Sequence, residues 1–226
     1  MSSEPKTDPA LILLVDKPYE WTSFGVVKRI RYHYKLKKVG HAGTLDPLAT
    51  GLLILCTGKK TKEIEGLMGM EKEYTGTIEL GATTPSFDLE TEVVPVASVS
   101  HLTESDIKTA VEQLTGWIDQ TPPQHSAIKI DGKRAYLSAR KGEEVELKSR
   151  KVQISTFEVI YEAPNVHFRV VCSKGTYIRS LARDLGEILK VGGHLTALRR
   201  TRIGNFSVEN ALQVDQLPPL TEITSE

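Results

Sequence analysis

Gly40-His41-Ala42-Gly43-Thr44-Leu45-Asp46-Pro47-Leu48-Ala49-Thr50-Gly51 is a polar, glycine-rich stretch that runs directly into the apolar segment Leu52-Leu53-Ile54-Leu55-Cys56. A residue before proline is pushed into an extended conformation, and an aspartate there can hydrogen-bond to the backbone two residues on. We therefore expect Asp46, the only carboxylate of the stretch, to lie on a stiff turn. The strand-forming residues that follow can anchor this turn to the end of a sheet.

An isolated Asp-Pro pair usually marks no more than a turn. This pair shares residues 41–51 with two glycines, two threonines and a histidine. A polar loop of this kind, held on a rigid scaffold, is a common place for reactive groups. We interpret the stretch as a candidate catalytic loop with Asp46 as its reactive group.

The rest of the chain predicts more strands than helices, with several strands paired as hairpins, one of them at Asp131-Gly132. This pattern is typical of the α+β class with a mixed, mainly antiparallel central sheet flanked by helices. Thr22-Ser23, Thr103 and Thr176 are the predicted helix N-caps. The first helix should turn Phe24, Val27, Ile30 and Tyr34 towards the core. Predicted strands cover residues 10–16, 52–57, 73–80, 126–130, 152–161, 166–172 and 195–203, and predicted helices follow Thr22, Gly58, Thr103, Lys133 and Thr176.

Length and composition indicate one globular domain, or two closely packed subdomains, with a sizeable core. The chain has 226 residues, and its 29 Lys and Arg balance its 29 Asp and Glu, so net charge does not point to nucleic acid. The local distribution does, because no acid lies between Val26 and Leu45. A solvated helix face is the alternative explanation for this basic run. The basic run consists of Lys28, Arg29, Arg31, Lys35, Lys37 and Lys38.

The two cysteines, Cys56 and Cys172, lie in apolar segments without the spacing of a disulfide framework or a zinc site. We expect them to be core residues of a reduced, cytoplasmic protein. The apolar run 10–15 is too short for a signal peptide or a membrane span, so no membrane association is expected. No metal cluster, Walker loop or dinucleotide fingerprint is present in the sequence, and we predict no cofactor and no metal.

The stretch 40–51 resembles the catalytic loop of the TruB family of tRNA pseudouridine synthases, in which the aspartate is the nucleophile. The resemblance extends over residues 10–210 and implies the pseudouridine synthase fold. Ser173–Ser180 is similar to the family's KGTYIR motif, whose arginine pairs with the catalytic aspartate, which implies this role for Arg179. Tyr74 matches the tyrosine that stacks on the target uracil and is a candidate to accept the C5 proton. The alternatives are an exposed arginine on a first helical turn and a core tyrosine.

Several further residues are substrate-binding by the same resemblance. Lys17 lies in a segment similar to the DKPxGxTS motif, although Glu20-Trp21 replaces the expected glycine and small or apolar residue. His41 matches the histidine that fills the space vacated by the flipped uridine, with a structural, hydrogen-bonded histidine as the alternative. Asp88 is a candidate to read the flipped base or to support that site. Tyr177 belongs to the KGTYIR-like motif, and Leu198 would line the pocket.

The resemblance implies an enzyme that isomerises the T-loop uridine, tRNA position 55, to pseudouridine. We expect a flexible N-terminus at 1–9, a catalytic domain at 10–210 and a loose tail at 211–226 without the PUA domain of many family members. A monomer would then grip the tRNA T-arm through the basic run, chiefly Lys28, Arg31 and Lys35, and through Arg199, Arg200 and Arg202. The alternatives are an RNA-binding tRNA-folding chaperone and a guide-RNA-dependent pseudouridine synthase subunit.

Overall fold

The computed structural model describes residues 8–126, 129–130, 133–134 and 147–223. The chain forms two compact units, residues 1–73 with 199–226 and residues 74–198. In chain order the elements are β1 (Ile12–Lys17), α1 (Ser23–His33), β2 (Val39–His41), β3 (Thr50–Thr57), a 3-10 helix (Gly58–Glu63), α2 (Ile64–Gly69), β4 (Lys72–Leu80), β5 (Ala82–Thr83), β6 (Val94–Pro95), α3 (Glu104–Gln113), β7 (Gly116–Gln120), β8 (Lys129–Ile130), β9 (Lys133–Arg134), β10 (Arg150–Glu162), β11 (Asn165–Cys172), α4 (Ile178–Ile188), β12 (Gly193–Ile203), β13 (Phe206–Ser207), a 3-10 helix (Val208–Asn210), β14 (Leu212–Gln213) and α5 (Leu220–Ile223).

The strand pairings confirm the α+β class with a mixed, mainly antiparallel sheet. In the first unit β1 pairs antiparallel with β3 and parallel with β14, while β3 also pairs with β2 and, in parallel, with the end of β12. In the second unit β11, β10 and β7 follow one another in antiparallel order beside β4. No helix among the described residues is long and apolar enough to cross a membrane.

Helix α1 begins as predicted, because the Thr22 hydroxyl accepts a hydrogen bond from the Gly25 N–H at 2.9 Å. Its apolar face differs from the prediction at one position. Phe24 is 60% exposed, and Val26 is buried in its place. At 100° per residue, Val26, Val27, Ile30 and Tyr34 form one contiguous stripe, from which Phe24 is displaced. These side chains pack on the β1 and β3 residues Leu13, Val15, Leu53 and Leu55.

Residues 211–223 are packed, and the prediction of a loose tail is wrong for this segment. Strand β14 pairs with β1, and Val214 is buried in the same core cluster. The Tyr34 hydroxyl donates a hydrogen bond to the Pro218 carbonyl at 2.8 Å. Alternate apolar residues in a polar segment were too sparse a pattern to predict this packing. The partly buried residues that also contact the cluster include Leu217, Leu220 and Ile223.

The second unit confirms the hairpin of β10 and β11 and the amphipathic helix α3. Thr103 and Asp106 cap α3 reciprocally, and Gly116, at φ +92°, follows its last turn. Strand β7 was not predicted, because only four residues separate this glycine from the following Thr-Pro-Pro segment. The short strands β8 and β9 pair antiparallel as the predicted hairpin requires. Its turn at Asp131-Gly132 and most of the predicted helix 134–141 lie outside the described residues.

Candidate active site

The loop that carries Asp46 connects β2 to β3. These strands pair antiparallel up to His41 and Leu55, and the Ala42 N–H extends the pairing by donating to the Ile54 carbonyl at 2.8 Å. Within the loop the Ala49 N–H donates to the Asp46 carbonyl at 3.1 Å. This bond closes the turn predicted around Asp46. Asp46 itself is half-buried. The candidate nucleophile is therefore held on a closed turn at a sheet end.

Ser23, the first residue of α1, ties the helix to this loop. Its hydroxyl donates to the Leu45 carbonyl at 3.0 Å and accepts from the Leu45 N–H at 2.8 Å. Both groups are buried, where an unsatisfied backbone group would cost about 1–3 kcal/mol. The residue directly before Asp46 thus has both backbone polar groups bonded to one fixed side chain.

Lys17, at the end of β1, is a second contact to the loop. Its side chain has no exposed surface, and its ammonium donates to the carbonyls of Pro18, Trp21 and Pro47 at 2.8, 2.6 and 3.0 Å. Burial lowers the pKa of Lys17 to about 8; the charge of Asp46 opposes this shift and that of Arg200 adds to it. Lys17 thus connects the end of β1 to Pro47, the residue after Asp46, and its contact with substrate stays a prediction.

Arg199, Arg200 and Arg202 were expected to bind RNA. Their guanidinium groups are instead engaged within the protein and do not form a free basic surface. Arg200 is 1% exposed, and its guanidinium donates to the carbonyls of Leu52, Gly43 and Thr44. Arg199 forms a bidentate ion pair with Asp16, at 3.0 and 2.7 Å. Arg202 lies 3.4 and 3.8 Å from carboxylate oxygens of Glu71 and Glu73, respectively.

His41 lies at the start of the loop, on the last residue of β2. Its pKa is lowered, first by burial and then by the positive charge of Arg200, while a hydrogen bond with the Gly43 backbone acts in the opposite direction. The ring is therefore neutral at pH 7. Its buried Nδ1 has no hydrogen-bond partner among the described residues. A neutral ring of this kind suits steric filling of a space better than proton transfer.

Arg179, on the first turn of α4, is 3% exposed, which excludes the alternative of an exposed arginine. Its guanidinium donates to the carbonyls of Ser86 at 3.1 Å and His125 at 2.9 Å. The same guanidinium lies 3.7 Å from a carboxylate oxygen of Asp88, which is itself buried. The other Asp88 oxygen accepts the Glu90 N–H at 3.0 Å. The structure thus brings Arg179 and Asp88 together, and Asp88 supports the arginine.

Tyr177, and not Thr176, is the N-cap of α4. The Thr176 hydroxyl instead donates to the Ser173 carbonyl, and the Gln120 side-chain amide bonds both backbone groups of Tyr177, at 2.8 and 3.1 Å. The Arg150 guanidinium stacks 4.8 Å from the centre of the Tyr177 ring. Tyr74, on β4, is largely buried, and Leu198, on β12, is half-buried.

Comparison with known proteins identifies the family of the chain. The model for "TruB family pseudouridylate synthase (N terminal domain)" matches residues 31–178, and that for "tRNA pseudouridylate synthase B C-terminal domain" matches residues 179–224. The chain belongs to the TruB family. The tRNA pseudouridine synthase B of Phocaeicola vulgatus is 53% identical over 214 residues, which cover 92% of this chain and 91% of that protein. That of Flavobacterium johnsoniae is 54% identical, with 90% and 92% covered.

Solved structures with a similar fold also match the chain. A chain in "Crystal Structure of a Cbf5-Nop10-Gar1 Complex" is 32% identical, with a TM-score of 0.70, over 90% of this chain and 53% of that one. A chain in "Structure of H/ACA RNP bound to a substrate RNA containing 2'-deoxyuridine" is 29% identical, with a TM-score of 0.67, over 90% and 51%. This TruB chain therefore spans about half the length of these solved relatives.

Glu20 explains how this TruB chain departs from the DKPxGxTS motif. Its φ is +63°, in the left-handed region that glycine favours. The backbone thus has the conformation expected of the motif's glycine, although the residue is glutamate. The neighbouring Trp21 carbonyl accepts the short hydrogen bond from Lys17. The sequence left the shape of this loop open. In the structure Glu20 has the backbone conformation that glycine favours, at some cost in strain.

The basic run of this TruB chain lies on α1 and the turn after it. Lys28, Arg31 and Lys35 are exposed and lie outside the buried stripe of the helix. The Lys28 ammonium lies 4.9 Å above the Phe24 ring, which accounts for the exposed position of that aromatic side chain. The run is therefore accessible to a polyanion.

Sequence reasoning missed three residues that hold the site together. Ser23 was considered only at the start of a helix, Arg200 only as an exposed cation, and Gln120 was given no role. A signal for Arg200 did exist. In a strand, successive side chains alternate between faces, so Arg199 and Arg200 could not both face solvent on one side of the sheet. Which of the two turns inward depends on pairing that the sequence does not specify.

Proposed function

We propose that this protein isomerises the T-loop uridine at position 55 of tRNA to pseudouridine, with Asp46 as the nucleophile. It is a tRNA pseudouridine synthase, as its curated relatives are named. The T-loop as substrate is the finer part of the proposal. The observation that carries the proposal of Asp46 as the nucleophile is its fixed turn, since a nucleophile must be held in one orientation to react efficiently.

The reaction moves one bond without net oxidation or reduction. The bond from uracil N1 to ribose C1′ breaks, the base turns over, and C5 forms the new bond to C1′. C5 then loses its proton, and N1 ends as an N–H. An ionised Asp46 supplies the electron pair for the first attack, on either C1′ or C6 of the uracil. The charge of Lys17 favours that ionised form, because a cation nearby stabilises a carboxylate.

Other residues take the roles that the family resemblance gives them. We assign Tyr74 to the stacking surface for the target uracil, Arg179 to the support of the catalytic aspartate and Leu198 to the lining of the base pocket. Asp88, through its contact with the Arg179 guanidinium, is a supporting residue. His41 occupies the space that the flipped uridine leaves, a role that suits its neutral ring.

The exposed basic run on α1 and its following turn is the proposed RNA grip. A protein with equal numbers of acidic and basic residues can still bind RNA if its cations are clustered on one surface. Lys28, Arg31 and Lys35 meet this requirement, whereas Arg199 and Arg202 are engaged in ion pairs. We further propose a monomeric enzyme of the cytoplasm, a compartment in keeping with two buried free cysteines.

The test is pseudouridine mapping on an unmodified T-arm stem-loop incubated with the purified protein alone. Conversion of the uridine that corresponds to position 55, and of no other, is the expected result. A matched stem-loop with cytidine at that position should remain unmodified. Conversion that requires an added guide RNA would favour the guide-dependent alternative. Improved tRNA folding without any conversion would favour the chaperone.

A further inference from the structure

The guanidinium of Arg200 is the most deeply buried charged group that family resemblance leaves without a role. Arg200 lies on β12, directly opposite Gly51 of β3 in the parallel register. Its Nε donates to the Leu52 carbonyl at 2.7 Å, Nη2 donates to the Gly43 carbonyl at 3.1 Å, and Nη1 donates to the Thr44 carbonyl at 3.5 Å. One planar group thus connects the strand after the catalytic loop to the loop itself.

The shape of the loop is matched to this guanidinium. Gly43 has φ +93°, and a Cβ added there would lie 3.7 Å from Nη1 of Arg200. At Gly51 the backbones approach so closely that an added Cβ would lie 2.2 Å from the Arg200 carbonyl oxygen. At Gly51 only glycine therefore permits the approach of β3 to the Arg200 backbone, whereas at Gly43 the positive φ, and not the space, favours glycine. A lysine here would keep the charge but lacks the planar guanidinium, whose nitrogens lie in one fixed geometry opposite the carbonyls of Leu52, Thr44 and Gly43.

Arg200 is also within electrostatic reach of the groups around the nucleophile. Its charge acts on Lys17 and on His41, and Lys17 in turn interacts with Asp46. An RNA phosphate, in contrast, could reach Arg200 only if the loop opened, because the side chain is 1% exposed. Burial and bonding thus point inward, to the loop, and not outward, to the substrate backbone.

We propose that Arg200 is a positioning residue for the nucleophile. By fixing the carbonyls of Gly43 and Thr44, it holds the backbone that leads to Asp46 in the reacting orientation. This inference rests on the role of Asp46 in the proposed function. It assigns to the interior of the site a residue whose sequence context, Leu198-Arg199-Arg200-Thr201, suggested RNA binding.

The test compares Arg200→Met and Arg200→Lys with wild type and with Arg169→Met. Arg169 is a suitable control because its guanidinium is also hydrogen-bonded, to the Glu158 carboxylate at 3.0 Å, but on an exposed surface of β11. Two quantities are measured for each variant: the single-turnover rate of pseudouridine formation at saturating T-arm, and the Kd for the same RNA. Thermal unfolding followed by circular dichroism verifies that each variant has a cooperative transition.

For Arg200→Met we expect the rate to fall by about 100-fold while Kd stays within about threefold of wild type. Arg200→Lys should recover about tenfold of the lost rate, since it restores charge and one hydrogen bond. Arg169→Met should leave both quantities within about threefold. If Arg200→Met fails to unfold cooperatively, Arg200→Lys alone decides, with an expected rate loss of about tenfold at unchanged Kd.

Three results would overturn the proposal. The first is a single-turnover rate within about threefold of wild type for both Arg200 variants. The second is a raised Kd with a normal rate at saturation. The third is a parallel loss of rate, affinity and cooperative unfolding in Arg200→Lys. The wild-type reaction separates this proposal from the choice of substrate. If wild type leaves the T-arm unmodified and converts another uridine in total tRNA, the T-loop assignment fails, and the Arg200 comparison is made on that uridine.

Discussion

Gly51→Ala should destabilise the protein strongly, although it adds a single methyl group. Gly51 has φ +101°, and the added Cβ would lie 2.2 Å from the carbonyl oxygen and 2.8 Å from the nitrogen of Arg200. Both contacts are with backbone, so no side-chain rotation can relieve them. Backbone strain of about 1–3 kcal/mol adds to an overpacking cost of about 1–3 kcal/mol. Reduced entropy of the unfolded chain returns up to about 1 kcal/mol.

The net expectation is a loss of about 3 kcal/mol in the free energy of unfolding, which for this chain length lowers Tm by roughly 6–12 °C. Urea denaturation measures the first quantity and calorimetry the second. Gly66→Ala is the matched control, because its Cβ on α2 would meet no heavy atom within 4 Å. That variant should gain about 0.5–1 kcal/mol from helix propensity. If Gly51→Ala lost under about 1 kcal/mol, the close approach of β3 to β12 would be refuted.

Three other predictions concern charge and strain. The reaction rate should fall above pH 8 as Lys17 loses its proton, and the rate of Lys17→Arg should not show this fall. The free energy of unfolding should change in the opposite direction. It should rise between the folded pKa of Lys17, about 8, and its ordinary value of 10.5, because only the unfolded state keeps the proton in this range. Glu20→Gly should raise the free energy of unfolding by about 0.5 kcal/mol, because relief of roughly 1–2 kcal/mol of left-handed strain exceeds the entropy cost of glycine. Changing Lys28, Arg31 and Lys35 together to Gln should weaken T-arm binding and flatten the log–log salt dependence by about 0.7–0.9 per lost phosphate contact.

Each of these has a clear contrary result. Identical alkaline limbs for wild type and Lys17→Arg would assign the titration to the RNA or to another group. A less stable Glu20→Gly would mean that the glutamate side chain contributes more than its backbone strain costs. Parallel salt lines for wild type and the triple variant would mean that the basic run is only a solvated helix face. The single-turnover rate at saturating RNA serves as a control for the triple variant and should stay near that of wild type.

The sequence predicted the fold class and the loop of Asp46 because both depend on local patterns. Periodicity identified β1, α1, α3, β10 and β11, and the Asp-Pro turn is closed by the expected backbone bond. The sheet order, the strand β7 and the packing of the C-terminal segment depend on contacts between distant residues. No local pattern encodes such contacts, since propensity is a weak signal beside tertiary packing.

The supporting residues of the site were harder to predict than the reactive one. Lys17 and Arg200 are charged side chains in a polar sequence context, and exposure is the usual state of such residues. They are buried because each meets several backbone carbonyls, at positions set by the pairing of β1, β3 and β12. Only the assembled sheet shows that the charges face the loop.

The most direct test of the account is the rate of pseudouridine formation by Asp46→Asn. Asparagine keeps the shape of the side chain and lacks the negative charge that a nucleophile needs. The variant should bind the T-arm with a Kd within about threefold of wild type and unfold normally, while its rate falls by at least about a thousandfold. Pseudouridine mapping under single-turnover conditions at saturating RNA measures this. A rate within about tenfold of wild type would contradict the role of Asp46 as the nucleophile.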